Sequence, residues 1–372
     1  MLPRRTGDQT AKPLGVGIIG ASAERGWAKL AHVPAVQQLA GLEVAAVDSG
    51  SQAKADAAAK AFGAKASYAD GKDLIRDPNV HIVTIAVKVP DHRDLVLAAL
   101  TAGKHVYCEW PLGRNFAETE ELAKAAQLAN VHVAIGLQTR VNPALLRARE
   151  LVRSGAIGRP LSARVLSTTV AFGPKVEAAM AFAEDAKNGA TLVTIQGAHT
   201  IDFTIALLGP WSDLTALTTI QYPEVQVGNP PTTQARSAPD HLLVQARGGS
   251  DASVSIEVTG GRQPQEVLFR MEVTGELGDL VVGGGAVRGF QSGRLTLSLF
   301  GEPQPLEEGE SALMPAEAAN VAAMYAALRN DISSGTATAP DFQHAVHLAK
   351  LMDDVLASAQ TGTRKKTQDW PV

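Results

Sequence analysis

Along the first 140 residues, short apolar runs alternate with alanine-rich stretches whose apolar positions recur at helical spacing. LGVGIIGA (14–21) is one such run, closed by Gly20, and has the pattern of a parallel strand buried on both faces. A helix is expected from about Gly26 to Leu39. LEVAAVD makes a second strand ending at Asp48, and QAKADAAAKAFG a helix that Gly63 stops. HIVTIAV, KHVYCE and VHVAIGLQ are the next strands, with RDLVLAALTAG and FAETEELAKAAQLAN as the helices between them. Such alternation with short connections predicts a parallel sheet covered by helices on both faces.

After residue 140 the rhythm changes. NPALLRARELVRSG is a helix and GRPLSARVLSTTVAF opens a strand of period two. DLTALTTIQY, HLLVQARG, ASVSIEVTG, LFRMEVTGELGDLVV and RLTLSLF follow, separated by Gly, Pro and Ser, which is the punctuation of a mostly antiparallel sheet. The proline-rich segment 223–240 is expected to be an exposed loop. ANVAAMYAALRNDISSG and DFQHAVHLAKLMDDVLASAQTG are late helices, the last packing back on the body. The expected class is α/β. Residues 1–13 form a flexible arm, 14–140 a dinucleotide-binding domain of Rossmann type, and 141–372 an α/β domain for substrate and self-association.

Composition narrows the function classes. A chain of 372 residues, 45% hydrophobic, exceeds what one core usually holds. Its formal charge of -4, with acids and bases interspersed, points to neither a nucleic-acid groove nor a polybasic membrane patch. The single cysteine, Cys108, excludes an intrachain disulfide and a cysteine-cluster metal site. With no apolar run near the ~20 residues of a membrane helix, and no apolar stretch behind Arg4 and Arg5, a cytoplasmic globular protein is expected. No metal is expected: the histidines lack ligand spacing, including His344 and His347 on one helix face. No nucleophile elbow is present.

VGIIGASAERGW is a degenerate phosphate-binding turn. Gly20 supplies the tight turn, Ser22 stands where a second glycine is usual with Ala23 beside it, and Gly26 comes late. A pyrophosphate would meet the N–H groups of the helix start; a ligand-free structural turn is the alternative. At the end of the second strand, Asp48 suits the ribose hydroxyls of NAD. Ser49, Ser51 and Lys54 suit the 2′-phosphate of NADP, towards which the reading leans slightly.

Several segments then match a known pattern in order and spacing. GVGIIG, the VTIAV strand leading to His92, GKHVYCEWPLG, the SGAIGRP turn and GAHTIDFTIALLG resemble the glucose–fructose oxidoreductase/inositol dehydrogenase (Gfo/Idh/MocA) family over nearly the whole chain. The resemblance implies a Rossmann domain followed by a domain with a large open sheet, NAD(P) as cofactor, sugar or cyclitol substrates, and homodimers or homotetramers. It places Lys88, His92, Glu109, Trp110, Pro111 and Gln138 at the cofactor.

Two family positions differ. Where the family carries lysine this chain has Trp110, whose N–H donates but does not exchange a proton near neutral pH. Where it carries aspartate, four residues before His199, this chain has Ile195. These departures, with AVKVPDH, NGATLVT, GLQTR and the Gly26–Trp27 pair, resemble the branch that includes the yeast galactose-regulon repressor, which binds a dinucleotide and a protein partner.

Three functions follow as expectations. The first is an oxidoreductase acting on a sugar-like compound. In it His199 is the acid/base, Lys175 or Lys187 supplies the missing ammonium, and Trp110 walls the pocket. The second is a dinucleotide-binding sensor without turnover, and the third a redox-neutral catalyst with a tightly held cofactor. His199 also has a structural alternative, a hydrogen bond to Asp202.

Overall fold

The computed structural model describes residues 12–367, and the arm expected at 1–13 lies almost entirely outside them. The first layer is a six-stranded sheet built from β1 (Leu14–Ile19), β2 (Leu42–Asp48), β3 (Ala66–Tyr68), β4 (Ile82–Ile85), β5 (His105–Cys108) and β6 (Val133–Ile135). Its order is β3-β2-β1-β4-β5-β6, all pairs parallel. Helices α1 (Val33–Gln38), α2 (Gln52–Phe62), α3 (Gly71–Arg76), α4 (His92–Thr101) and α5 (Phe116–Ala129) cross between strands. The order reverses between β1 and β4, which opens a crevice at the carboxyl ends of those strands, where open α/β sheets bind ligands.

The expected parallel sheet is present, with one strand more than the apolar runs marked. β3 is three residues, Ala-Ser-Tyr, too short to show a period. The expected helix at 26–39 is a π-helical turn, Ala28–His32, followed by α1.

After α6 (Pro143–Arg153) comes the second layer. It comprises β7 (Pro160–Thr168), β8 (Lys175–Val176), α7 (Ala198–Leu208), β9 (Asp213–Thr219), β10 (Glu224–Val227), β11 (Thr232–Ala235), β12 (His241–Arg247) and β13 (Ser253–Thr259). It continues with β14 (Phe269–Gly275), β15 (Asp279–Gly284), β16 (Leu295–Leu299) and β17 (Glu302–Pro303). Helices α8 (Ala316–Ser334) and α9 (Phe342–Thr361) and the short β18 (Lys365–Lys366) end the described chain. Nine strands form one sheet in the order β17-β16-β15-β14-β7-β13-β12-β9-β18. Only β7 and β13 pair in parallel, so the sheet is mostly antiparallel as expected.

Residues 223–240 are not the plain loop their prolines suggested. β10 and β11 form a hairpin that joins β8 in a three-stranded sheet. Arg236 pins it from below: it is 5% exposed and pairs with the buried carboxylates of Glu184 and Asp240, and it donates to the carbonyls of Phe172 and Gly173. A buried guanidinium keeps its charge only when its donors are matched in this way.

Helix α8 returns to the first layer. Ala318, Val321, Ala322, Tyr325 and Leu328 share a core cluster with Val16, Ile18, Val36 and Tyr107. Helix α9 packs on α5 and β9, so the last helix does fold back on the body. Among the described residues no helix is long and apolar enough to cross a membrane.

Candidate cofactor and substrate site

The candidate residues of the first layer converge because every parallel strand ends on the same edge. Gly20 follows β1, Asp48 ends β2, Lys88 follows β4, Glu109 to Pro111 follow β5 and Gln138 follows β6. Gly20 has φ 92°, and a Cβ there would lie 2.7 Å from the Ala86 carbonyl oxygen and 2.8 Å from Val87. Only glycine fits such an approach between neighbouring strand ends. Its N–H donates to Asp48 Oδ1 at 3.2 Å, which ties the turn to the second strand. Asp48 is 8% exposed, and burial raises its pKa against the opposing pull of that hydrogen bond.

The remaining turn residues have local duties. Ser22 Oγ accepts from the Glu24 N–H at 3.3 Å, and Ala23 stands half-buried beside it. Ser51 caps α2 by accepting the Lys54 N–H at 3.4 Å, and Ser49 is 9% exposed beside Asp48. His92 is 1% exposed, with one ring nitrogen 2.9 Å from the Pro111 carbonyl and the other 3.1 Å from that of Val87. Burial lowers its pKa against the pull of those two carbonyls, and the ring sits between the loops after β4 and β5. Lys88 is exposed and lies 5.2 Å from the centre of the Phe182 ring, a cation–π contact from the first layer to the segment covering it.

Trp110 is 7% exposed, and its Nε1–H donates to the Thr194 carbonyl at 2.7 Å. Thr194 belongs to a second π-helical turn, Val193–Gly197, which runs directly into α7. Its hydroxyl donates to the Gly189 carbonyl at 2.7 Å. Gly189 in turn sits so close to Arg114 that a Cβ would lie 2.4 Å from the Arg114 carbonyl. Residues 189–197 therefore press on the loop after β5, and the indole is the polar link between them. Ile195, in the same turn, is half-buried.

His199 opens α7. It is 4% exposed, and its Nδ1 is buried without a hydrogen-bond partner among the described residues. Burial pushes its pKa down to about 4, against the opposing charges of Asp202 and Glu109. The ring is therefore neutral near pH 7, with Glu109 close enough for its charge to act. The structural alternative for His199 is not met, because Asp202 is engaged elsewhere. Fully buried, it accepts from Arg140 Nε at 3.0 Å and lies 2.8 Å from His344 Nε2. Gln138 is 2% exposed, with its Oε1 buried and without a hydrogen-bond partner among the described residues.

The two candidate lysines stand in solvent. Lys187 is 79% exposed and paired with Asp185 at 2.7 Å, and Lys175 is exposed on β8. Neither occupies a buried position beside Trp110.

One group escaped sequence reasoning. His32, in the first π-helical turn, is fully buried with Nε2 3.1 Å from Glu109 Oε1, though the ring N–H is not aligned on that oxygen. Its Nδ1 is 2.9 Å from the Tyr325 hydroxyl, which is 2.7 Å from Thr84 Oγ1. The available signal was a histidine among apolar residues in LAHVPAV.

The cradle at Gly20, the carboxylate ending β2 and unpartnered polar atoms on Gln138 and His199 fit a dinucleotide laid across the switch point. Comparison with known proteins identifies the fold of this layer. A model of an oxidoreductase family with an NAD-binding Rossmann fold matches residues 14–137, and one of the Gal80p C-terminal domain matches 143–284. A dehydrogenase of Aspergillus oryzae, aclE, is 37% identical over 249 residues, covering 65% of this chain and 68% of that protein. The chain belongs to the Gfo/Idh/MocA oxidoreductase family.

Within the family its relatives divide in function. The levoglucosan dehydrogenase of Pseudarthrobacter phenanthrenivorans is 28% identical over 237 residues, 60% of either chain. The galactose/lactose metabolism regulatory protein GAL80 of Saccharomyces cerevisiae is 28% identical over 301 residues, 74% of this chain and 68% of that one. Their folds are equally near. A super-repressor mutant of Gal80p from that yeast superimposes with TM-score 0.84 at 24% identity, over 95% of this chain and 98% of that one. Levoglucosan dehydrogenase in complex with NADH and levoglucosan does so with TM-score 0.82 at 22% identity, over 96% and 100%. At those identities the superpositions establish the fold.

Proposed function

We propose that this protein is an NAD-dependent oxidoreductase of a sugar-like polyhydroxy compound, in which His199 handles the alcohol proton without a lysine. The observation that carries the reading is the His199 imidazole: buried, neutral and unpartnered at Nδ1, at the start of a helix that abuts the Trp110–Thr194 contact. A bound nicotinamide dinucleotide supplies the redox chemistry. Gly20 admits the pyrophosphate to the turn, Asp48 holds the adenosine ribose, and Glu109 and Gln138 line the inner end of the crevice. Trp110 excludes water and offers a flat apolar wall to the C–H face of a sugar ring. His199 takes the hydroxyl proton as a base that is unprotonated through the neutral range.

We assign NAD over NADP, although the sequence leans the other way. Ser51 already caps α2, and a 2′-phosphate would face the partly buried Asp48 carboxylate. The Asp48→Ala variant should weaken NAD binding more than NADP binding. We further assign self-association to the open face of the nine-stranded sheet, where Leu166 and Leu243 alternate with Arg164, Arg270 and Glu272 in a shallow groove.

A sensor without turnover is the second reading, and a specific observation favours it. The indole N–H is taken by Thr194 and both candidate lysines are solvated, so proton transfer rests on one histidine whose pKa of about 4 makes it a weak base. One experiment separates the readings. Dinucleotide released from the purified protein is identified, and reduced-nicotinamide absorbance is then followed against sugars, cyclitols and their keto forms. Turnover that His199→Ala abolishes supports the oxidoreductase. Firm binding with no redox change for any compound supports the sensor.

A further inference from the structure

A polar cavity of about 370 Å³ lies between the turn 138–141, α6, α7 and the segment 337–341 that leads into α9. Its wall carries Arg140, Arg149 and His344 among Ile205, Ala206 and Pro340. The acids present are already engaged. Asp202 holds Arg140 and His344, and Asp341 caps α9 by accepting the His344 N–H at 2.9 Å. Glu150, adjacent in sequence to Arg149, pairs with Arg147 at 2.6 Å. The backbone N–H groups of Thr338 and Ala339 donate to Asp331.

Arg149 is the exception. Among the described residues it has no carboxylate within ion-pair distance, and its Nε is buried without an acceptor. Burial and the like charges of Arg153 and Arg140 all disfavour its cation. A guanidinium does not escape by losing its proton, so such a site carries the cost of an unmatched buried donor until an anion arrives. The cavity has the volume of small-ligand pockets, and a planar fork suits carboxylate or phosphate oxygens.

We propose that this cavity binds a small molecule through a carboxylate or phosphate group, with Arg149 as its anchor and Arg140 and His344 on the facing wall. The site is independent of the redox reading. It shares α7 with His199 and the turn 138–141 with Gln138, so it is built on elements that also shape the crevice.

The test is titration calorimetry on the full chain with inorganic phosphate, glycerol 1-phosphate and acetate, against chloride at matched ionic strength. Saturable binding of at least one probe is expected, weakened about tenfold or more in Arg149→Gln, as loss of a charge-assisted fork requires. Arg149→Lys, which keeps the charge and guards against misfolding, should bind at intermediate strength. Arg153→Gln should bind as wild type. Tighter binding of the ester than of phosphate identifies an organic phosphate as the ligand class, and preference for acetate a carboxylate. Heats no greater than those of chloride for all three probes, or equal affinity in wild type and Arg149→Gln, overturn the proposal.

Discussion

The Trp110 indole donates to the carbonyl of Thr194 at 2.7 Å, and through this bond the residue that replaces the family lysine joins the two halves of the crevice. Thr194 lies one residue before Ile195, which stands where the family aspartate is expected. The two departures from the family pattern are thus neighbours in space as well as in kind. Where the resemblance implies a lysine and an aspartate, the structure has a buried indole with one hydrogen bond and a half-buried isoleucine.

That bond sets a first prediction. Trp110→Phe keeps an aromatic ring but leaves the Thr194 carbonyl without its donor in a largely buried contact. Loss of the bond and the unmatched carbonyl together should cost about 1–2 kcal/mol. Urea unfolding should show a lower midpoint with an unchanged slope. An unaltered midpoint would mean that the contact adds nothing to the closed arrangement.

Gly20 and Gly26 offer an internal comparison. Both have positive φ, 92° and 98°, but a Cβ at Gly20 meets the Ala86 carbonyl at 2.7 Å, while among the described residues nothing lies within 4 Å of one at Gly26. Gly26→Ala should therefore cost only backbone strain, of order 1 kcal/mol, and Gly20→Ala more, about 2–3 kcal/mol. Dinucleotide affinity should fall about tenfold or more in Gly20→Ala, because the turn itself must shift, and change little in Gly26→Ala. Fluorescence titration with NADH and thermal denaturation would read both effects.

The buried pair of Asp202 and Arg140 is predicted to matter for folding, not chemistry. Asp202 has no exposed surface and Arg140 little, and burial works against the carboxylate while Arg140 and His344 hold its pKa far below the usual range. Asp202→Asn preserves shape but leaves Arg140 uncompensated, which should cost about 3 kcal/mol. Guanidinium unfolding of the variant, with dinucleotide binding at low denaturant as the second readout, checks this. A variant of wild-type stability would show that the pair is dispensable.

Much of the fold was legible because it rests on periodicity and on glycine. Gly20, Gly63 and the apolar runs ending at Asp48 and Cys108 were enough to place the crevice. What stayed hidden depends on contacts distant in sequence. β3 is too short for a period, and the β10–β11 hairpin is held by Arg236 reaching Glu184, 52 residues away. Tyr325 on α8 meets His32 across 293 residues, a pairing no local pattern announces. At the site, the identity of Trp110 was legible but its partner was not, since the Thr194 acceptor is a backbone oxygen that any residue supplies.

The last prediction concerns His199 and pH. In the unfolded chain its imidazole takes a proton near 6.5, whereas in the fold burial holds the pKa at about 4. Between those values the unfolded state binds more protons than the folded one, so this group makes stability fall as pH is lowered through that window and adds no further loss below it. The full difference corresponds to about 3 kcal/mol. His92, His105 and His347 are also held low by burial and act in the same direction, whereas the contribution of Asp202 is retained until the pH drops below the ordinary carboxylate range. The His199→Gln variant isolates the one ring. Between pH 7 and pH 4.5 wild type should lose about 2 kcal/mol more stability than the variant in parallel urea titrations. Equal losses would show that His199 protonates normally within the fold. If turnover is found, the same shift requires the acid limb of kcat/KM to lie near pH 4, and an inflection near 6.5 would assign the proton to another group.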